Sequence, residues 1–215
     1  MGAIARSAAN NITTSGVFTS SAIANSSVTG ITVLANASDG ITLISSQTAS
    51  NSASLSFTSG LDSTYKAYKF VFSSVHPRTD NVQFQFNLST DAGSNYNVTK
   101  TTTSFWSAHY ENDTFTVLEY DAGGDLAQST GYQKISRDLG SSADESCSGS
   151  MTLFNPASTT YVKHFISRSS TNAYFDSMSD YYIAGYGNTT SACNAIRFQM
   201  SSGNFDGTIY LYGIK

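Results

Sequence analysis

Charge is scarce in this 215-residue chain: Asp, Glu, Lys and Arg make up 12% of it, about half the roughly 25% usual in soluble domains. The formal net charge is −4, from 15 acidic and 11 basic residues with no basic run. Without a cationic stripe there is no electrostatic footprint for nucleic acid or for an anionic membrane surface. Long apolar runs are missing too, and none approaches the roughly 18 residues that mark a membrane-spanning helix. The opening MGAIARSAANN lacks the apolar stretch of a secretory signal, so synthesis in the cytoplasm of the producing cell is expected. Arg6 stands where a myristoylation motif needs Ser or Thr.

Cysteine is nearly absent. Cys147 and Cys193 are too few and too far apart for a metal knuckle. They read either as free buried thiols or as a disulfide closing a loop of roughly 47 residues, which would add about 3–4 kcal/mol by chain entropy. His76, His109 and His164 lie far apart and show no metal-ligand spacing. No G-x-S-x-G elbow singles out a serine nucleophile. Asp121 and Asp125 around Gly123-Gly124 lack the spacing of an EF-hand. Catalytic residues, metals and cofactors are therefore not expected. The surviving enzyme reading is a polysaccharide depolymerase, which needs two carboxylates across a cleft; Glu111, Asp113 and Glu119 are the candidates.

What the chain does contain is aromatic and hydroxylic. Aromatics reach 13%, with 13 Tyr, 13 Phe and one Trp, and Ser plus Thr supply more than a quarter of the residues. Many core formers with little charge exclude disorder. They point to a β-rich protein kept soluble by hydroxyls and amides.

Composition shifts near residue 50. Residues 1–53 have one aromatic, Phe18, and short β-branched runs, Ile31–Leu34 after Gly30 and Ile41–Ile44 after Gly40. These share a G-I-T-[VL]-[LI] pattern but hold too few large side chains to bury an apolar side alone. Residues 1–53 read as an extended anchor or stalk that either lies along a larger body or winds with copies of itself; winding with symmetric copies makes a homotrimer. From residue 54 the period becomes two. Val82, Phe84, Phe86 and Leu88 alternate with Gln83, Gln85 and Asn87, the pattern of a sheet with one buried and one wet face. Similar runs recur to Gly207–Ile214, separated by turn signals such as His76–Asn81 and Ser201–Asn204. Helix signals are nearly absent. The expected fold is all-β: an antiparallel β-sandwich or jelly roll over residues 54–215, preceded by the anchor.

Surface recognition is the remaining chemistry. Trp106, His109 and Tyr110 lie in SFWSAHY beside Glu111, Asn112 and Asp113; Tyr181, Tyr182 and Tyr186 form a second aromatic group. Rings flanked by amides and carboxylates suit sugars, because rings stack on pyranose faces while polar groups fix hydroxyls. The competing reading puts these rings in the core or a subunit interface.

Four separated stretches carry a family likeness: Phe57–Thr103, LFNPASTTYVKHFI (Leu153–Ile166), AGYGNTTSA (Ala184–Ala192) and the closing FDGTIYLYGIK. Together they resemble a module of virion structural proteins from tailed bacteriophages, especially marine ones. The resemblance covers residues 54–215. It implies a β-sandwich displayed on the virion surface as a fibre, tail appendage or capsid decoration. Residues 1–53 would then contact the major capsid or a tail protein, and a host-surface glycan is a further partner. The alternative is a glycan-binding adhesin whose receptor contact is its main task. The resemblance supplies no catalytic residues.

Overall fold

The computed structural model describes residues 40–215. In chain order the strands are β1 (Ile41–Ser52), β2 (Ser54–Phe57), β3 (Ala67–Pro77), β4 (Val82–Ser89), β5 (Lys100–Tyr110) and β6 (Thr116–Tyr120). They continue with β7 (Gln133–Leu139), β8 (Cys147–Phe154), β9 (Lys163–Ala173), β10 (Ser177–Gly187), β11 (Ala195–Met200) and β12 (Phe205–Ile214). Every pairing is antiparallel. The larger layer runs β1-β12-β3-β8-β9-β10-β5-β6 and the smaller runs β2-β11-β4-β7. A single bridge, Leu139 to Ala173, joins the layers on one side. On the other side the Gln47 amide donates to the Ser56 carbonyl at 2.8 Å. The expected all-β sandwich is thus present, as a nearly closed sheet.

Aromatic packing between the layers accounts for this closure. Phe198 of β11 sits between them, with ring centroids 5.2 Å from Phe70, 5.3 Å from Phe72, 5.9 Å from Phe84 and 6.3 Å from both Phe57 and Phe86. Phe86 meets Phe165 of β9 edge-on at 5.0 Å. All of these rings are buried. Such contacts add about 0.5–1.5 kcal/mol per pair to the burial of each ring.

Three expectations change in detail. The sheet begins at Ile41, not at residue 54: β1 pairs along β12 from Ile41–Ile214 to Ser52–Phe205. The G-I-T segment at Gly40 therefore belongs to the sandwich, because β12 supplies its main-chain hydrogen-bond partner, while Ile41 and Leu43 stay exposed. The first G-I-T segment and the rest of the expected anchor, residues 1–39, lie outside the described residues. β12 begins at Phe205, two residues before the expected run, so Gly207 lies inside it. Its φ of 133° marks a bulge against β3, where a Cβ would sit 2.8 Å from the Ser74 carbonyl. Asn87, expected on the wet face of β4, is fully buried; its amide donates to the Tyr96 and Thr130 carbonyls at 2.7 and 2.9 Å.

Because Phe198 touches rings from both layers, Phe198→Ala is expected to cost about 3–5 kcal/mol. Urea unfolding followed by far-ultraviolet circular dichroism reads this directly. A loss below about 1 kcal/mol would mean that the ring cluster is not what joins the layers.

Candidate functional site

Strand parity decides what each face of the larger layer displays. Inward positions of β9 and β10 carry Phe165, Tyr181 and Ile183 along with buried Ser167, Ser169, Thr171, Ser177 and Ser179. Outward positions line up across all eight strands. One row reads Ser46, Tyr210, Val71, Ser150, Arg168, Tyr182, Phe105 and Tyr120, from β1 to β6. Most exposed large apolar side chains of the described residues fall on this outer face: Ile41 and Leu43 on β1, Phe154 on β8, Ile166 on β9, Phe105 on β5, Leu118 and Tyr120 on β6. Leu118 is 73% exposed and Ile166 53%. Phe105, Tyr120 and Ile166 lie on neighbouring strands around β10, and exposed apolar side chains gathered in this way mark contact sites more often than single ones do.

The face is not flat. Tyr182, Ala184 and Tyr186 succeed each other outward on β10, with Arg168, Ile166 and His164 beside them on β9 and Phe105, Thr103 and Thr101 on β5. Small or low side chains between large ones make a trough. Its floor, Thr103, Ala184 and Ile166, is shared by two adjoining shallow hollows of about 490 and 400 Å³. One wall is Phe105 stacked on Tyr182, centroids 4.7 Å apart and planes 4° from parallel. The guanidinium of Arg168 lies over the other side of Tyr182 at 4.7 Å. The second wall pairs Tyr186 with His164 at 6.0 Å. Beneath the floor, Gly185 lets β10 approach its neighbours, since a Cβ there would lie 2.5 Å from Thr102 and 3.0 Å from Phe165.

Charge in the trough is cationic. Arg168 donates to Asp180 through Nε at 3.1 Å and a terminal nitrogen at 2.7 Å; this hydrogen-bonded pairing holds the guanidinium more firmly protonated than usual. Lys69 of β3 closes one end and makes no ion pair among the described residues. Among the described residues no Asp or Glu lines either hollow. The trough therefore lacks the carboxylate pair that glycoside hydrolysis requires.

The six aromatic candidates divide between places. Tyr182 and Tyr186 stand in the trough walls. Trp106 and Tyr181 point the other way, stacked at 5.9 Å on the underside of β5 and β10, where Trp106 packs against the core. Tyr110 closes the end of the β5–β6 hairpin against Phe115 and Phe175. His109 is exposed on the outer face and bonds Asp113 at 2.9 Å. Cys147 and Cys193 are both free and buried. Burial pushes their thiols up to about 12 and about 11, with Lys163 and Lys100 opposing the shift at Cys193. Among the described residues no group of three or more His, Cys, Asp and Glu is placed to hold a metal ion.

Sequence reasoning missed Phe105, Arg168, His164, Ile166 and Lys69 as parts of one surface, and it missed two buried lysines. Lys100 and Lys163 both lie opposite Gly187 and are fully buried. Lys100 Nζ donates to Asn87 Oδ1 at 2.5 Å and to the Val98 carbonyl at 2.7 Å. Lys163 Nζ donates to the Tyr161 carbonyl at 2.6 Å. Neither has a carboxylate partner among the described residues. Parity was the available signal, because Lys163 shares the inward side with Phe165.

No protein-family model matches the chain, and neither a curated protein nor a solved structure gives a match.

Burial lowers Lys100 to about 7, far below the ordinary 10.5. Between those values the unfolded chain holds a proton that the folded chain has released, so stability rises with pH. Below about 7 both states are protonated and this dependence ends. From pH 7 to 9 the slope approaches at most about 1.4 kcal/mol per pH unit. The window closes near 9, where the buried thiols begin to pull the other way. Lys100→Met should remove most of this rise, leaving a residue from Lys163, whose pKa burial also lowers. Urea unfolding at pH 7, 8 and 9 checks it; a flat wild-type profile would show that the ammonium is solvated in the folded state.

Proposed function

We propose that the chain is a non-enzymatic structural protein of a tailed-bacteriophage virion, displaying its sandwich outward as a short head fibre, a decoration knob or a tail-associated appendage. The observation that carries a display role is the concentration of exposed apolar and aromatic side chains on the outer face of the larger layer. A hydroxyl-rich, charge-poor surface and the resemblance over residues 54–215 support the virion setting. The protein is made in the host cytoplasm and assembles as a homotrimer on the particle surface. Particle attachment, to the major capsid or a tail protein, falls to residues 1–39, since Ile41–Ser52 is committed to β12.

A second reading, a glycan-binding adhesin, is favoured by the trough with its two aromatic walls. The two readings are compatible within one protein. A polysaccharide depolymerase finds less support, because the trough offers no paired carboxylates.

Immunogold labelling of intact particles with antibody against the sandwich is expected to decorate their surface. A chain lacking residues 1–39 should stay folded and soluble yet be absent from purified particles. Deletion to residue 50 removes β1 as well and should also destabilise the sandwich. Unlabelled particles would contradict the virion reading, and normal incorporation of the shorter truncation would contradict the attachment assignment.

A further inference from the structure

We infer that the trough on the outer face binds a segment of a linear anionic polysaccharide, a chain of pyranose rings bearing carboxylate or sulfate groups. This rests on the reading of that face as the contact surface. The argument begins with direction. The trough runs across the strands, from Thr103 on β5 to Lys69 on β3, through four inter-strand steps, or about 19 Å. Its walls stand four residues apart along each strand, about 13 Å between backbones before side chains narrow the gap. It is a slot for an extended, narrow ligand.

The chemistry of the slot then selects among extended ligands. An added peptide strand is bound through main-chain hydrogen bonds at a free sheet edge. Here the floor belongs to strands paired on both sides, β10 between β5 and β9, and β9 between β8 and β10, so no main-chain ladder is on offer. An amphipathic helix lays a continuous row of large side chains into a groove, whereas Ile166, half exposed, stands up from this floor between Thr103 and Thr152. A saccharide meets both conditions. Its C–H groups pack against Ile166 and the ring edges of the walls, and its hydroxyls meet the threonine hydroxyls.

Charge completes the choice. Arg168 is neutralised by Asp180, but Lys69 has no ion-pair partner among the described residues. Among the described residues no carboxylate lines the trough, although the chain as a whole carries −4. A local cationic end on an acidic protein complements an acidic sugar.

The test is isothermal titration of the full chain with four probes: an oligogalacturonate, a sulfated galactan oligosaccharide, the carboxyl-reduced neutral form of the first, and polyglutamate. At least one anionic saccharide is expected to bind saturably, with the neutral form about tenfold weaker, roughly the loss of one charge-assisted contact. Lys69→Gln should weaken the anionic saccharide by about the same factor and leave the neutral one unchanged. Tyr186→Ala should weaken both. Which anionic saccharide binds identifies the acid group. Both side chains face outward, and an unchanged urea midpoint confirms that each variant is folded. The inference is overturned if neither anionic saccharide binds, if polyglutamate binds as well as they do, or if both substitutions leave affinity unchanged. Particles that carry the protein without saccharide binding would defeat this inference alone. Saccharide binding by a protein absent from particles would defeat the virion reading alone.

Discussion

Phe198 fixes the sides of the sandwich. Its ring touches aromatic rings from β2, β3 and β4, and those rings commit their strands to one register. A one-residue slip in any of them would turn every side chain to the other face. With Phe70 and Phe72 inward, Lys69 and Val71 must face out; with Phe165 inward, His164 and Ile166 must face out. The outer surface is thus a consequence of the inner one. The trough is the pattern left when Tyr182, Ala184 and Tyr186 take successive outward places.

The same parity explains why the core tolerates polar groups. Lys100, Thr102 and Ser104 occupy inward positions of β5, and each is buried. Hydrogen bonds satisfy the first two: Lys100 through Asn87 and Val98, and Thr102 through Gln133 at 2.7 Å. Ser136 and Thr171 bond each other at 2.6 Å across β7 and β9. Buried hydroxyls cost little when paired and much when orphaned. Among the described residues Ser177 and Ser179 Oγ have no hydrogen-bond partner, so two buried hydroxyls under the hairpin of β9 and β10 are left unpaired.

Where the sequence alternated large apolar with polar residues, strands were legible, as in Val82–Leu88 and Ala195–Met200. Where the inward residues are Ser or Thr, the signal faded. In β9 the hydrophobic mark ends at Phe165, because the inward Ser167, Ser169 and Thr171 carry none, although all three are buried. β1 was misassigned because its partner, β12, lies at the far end of the chain and local composition says nothing about long-range pairing. At the site, aromatic content drew attention to Trp106, Tyr181, Tyr182 and Tyr186 without sorting them by face. Parity against Ile183 separates Tyr182 from Tyr181 once the strand is known. Lys69 and Arg168 join them only through cross-strand register, which one sequence does not contain.

The account stands on one claim: the outer face of the larger layer is the working surface, and the Trp106 side is packing. Amide-resolved NMR of the full chain during titration with an acidic oligosaccharide tests it most directly. The account predicts shifts concentrated at Lys69, Thr103, Ile166 and Ala184, with the Trp106 indole unmoved. Shifts centred on Trp106 and Tyr181, with the trough silent, would contradict it.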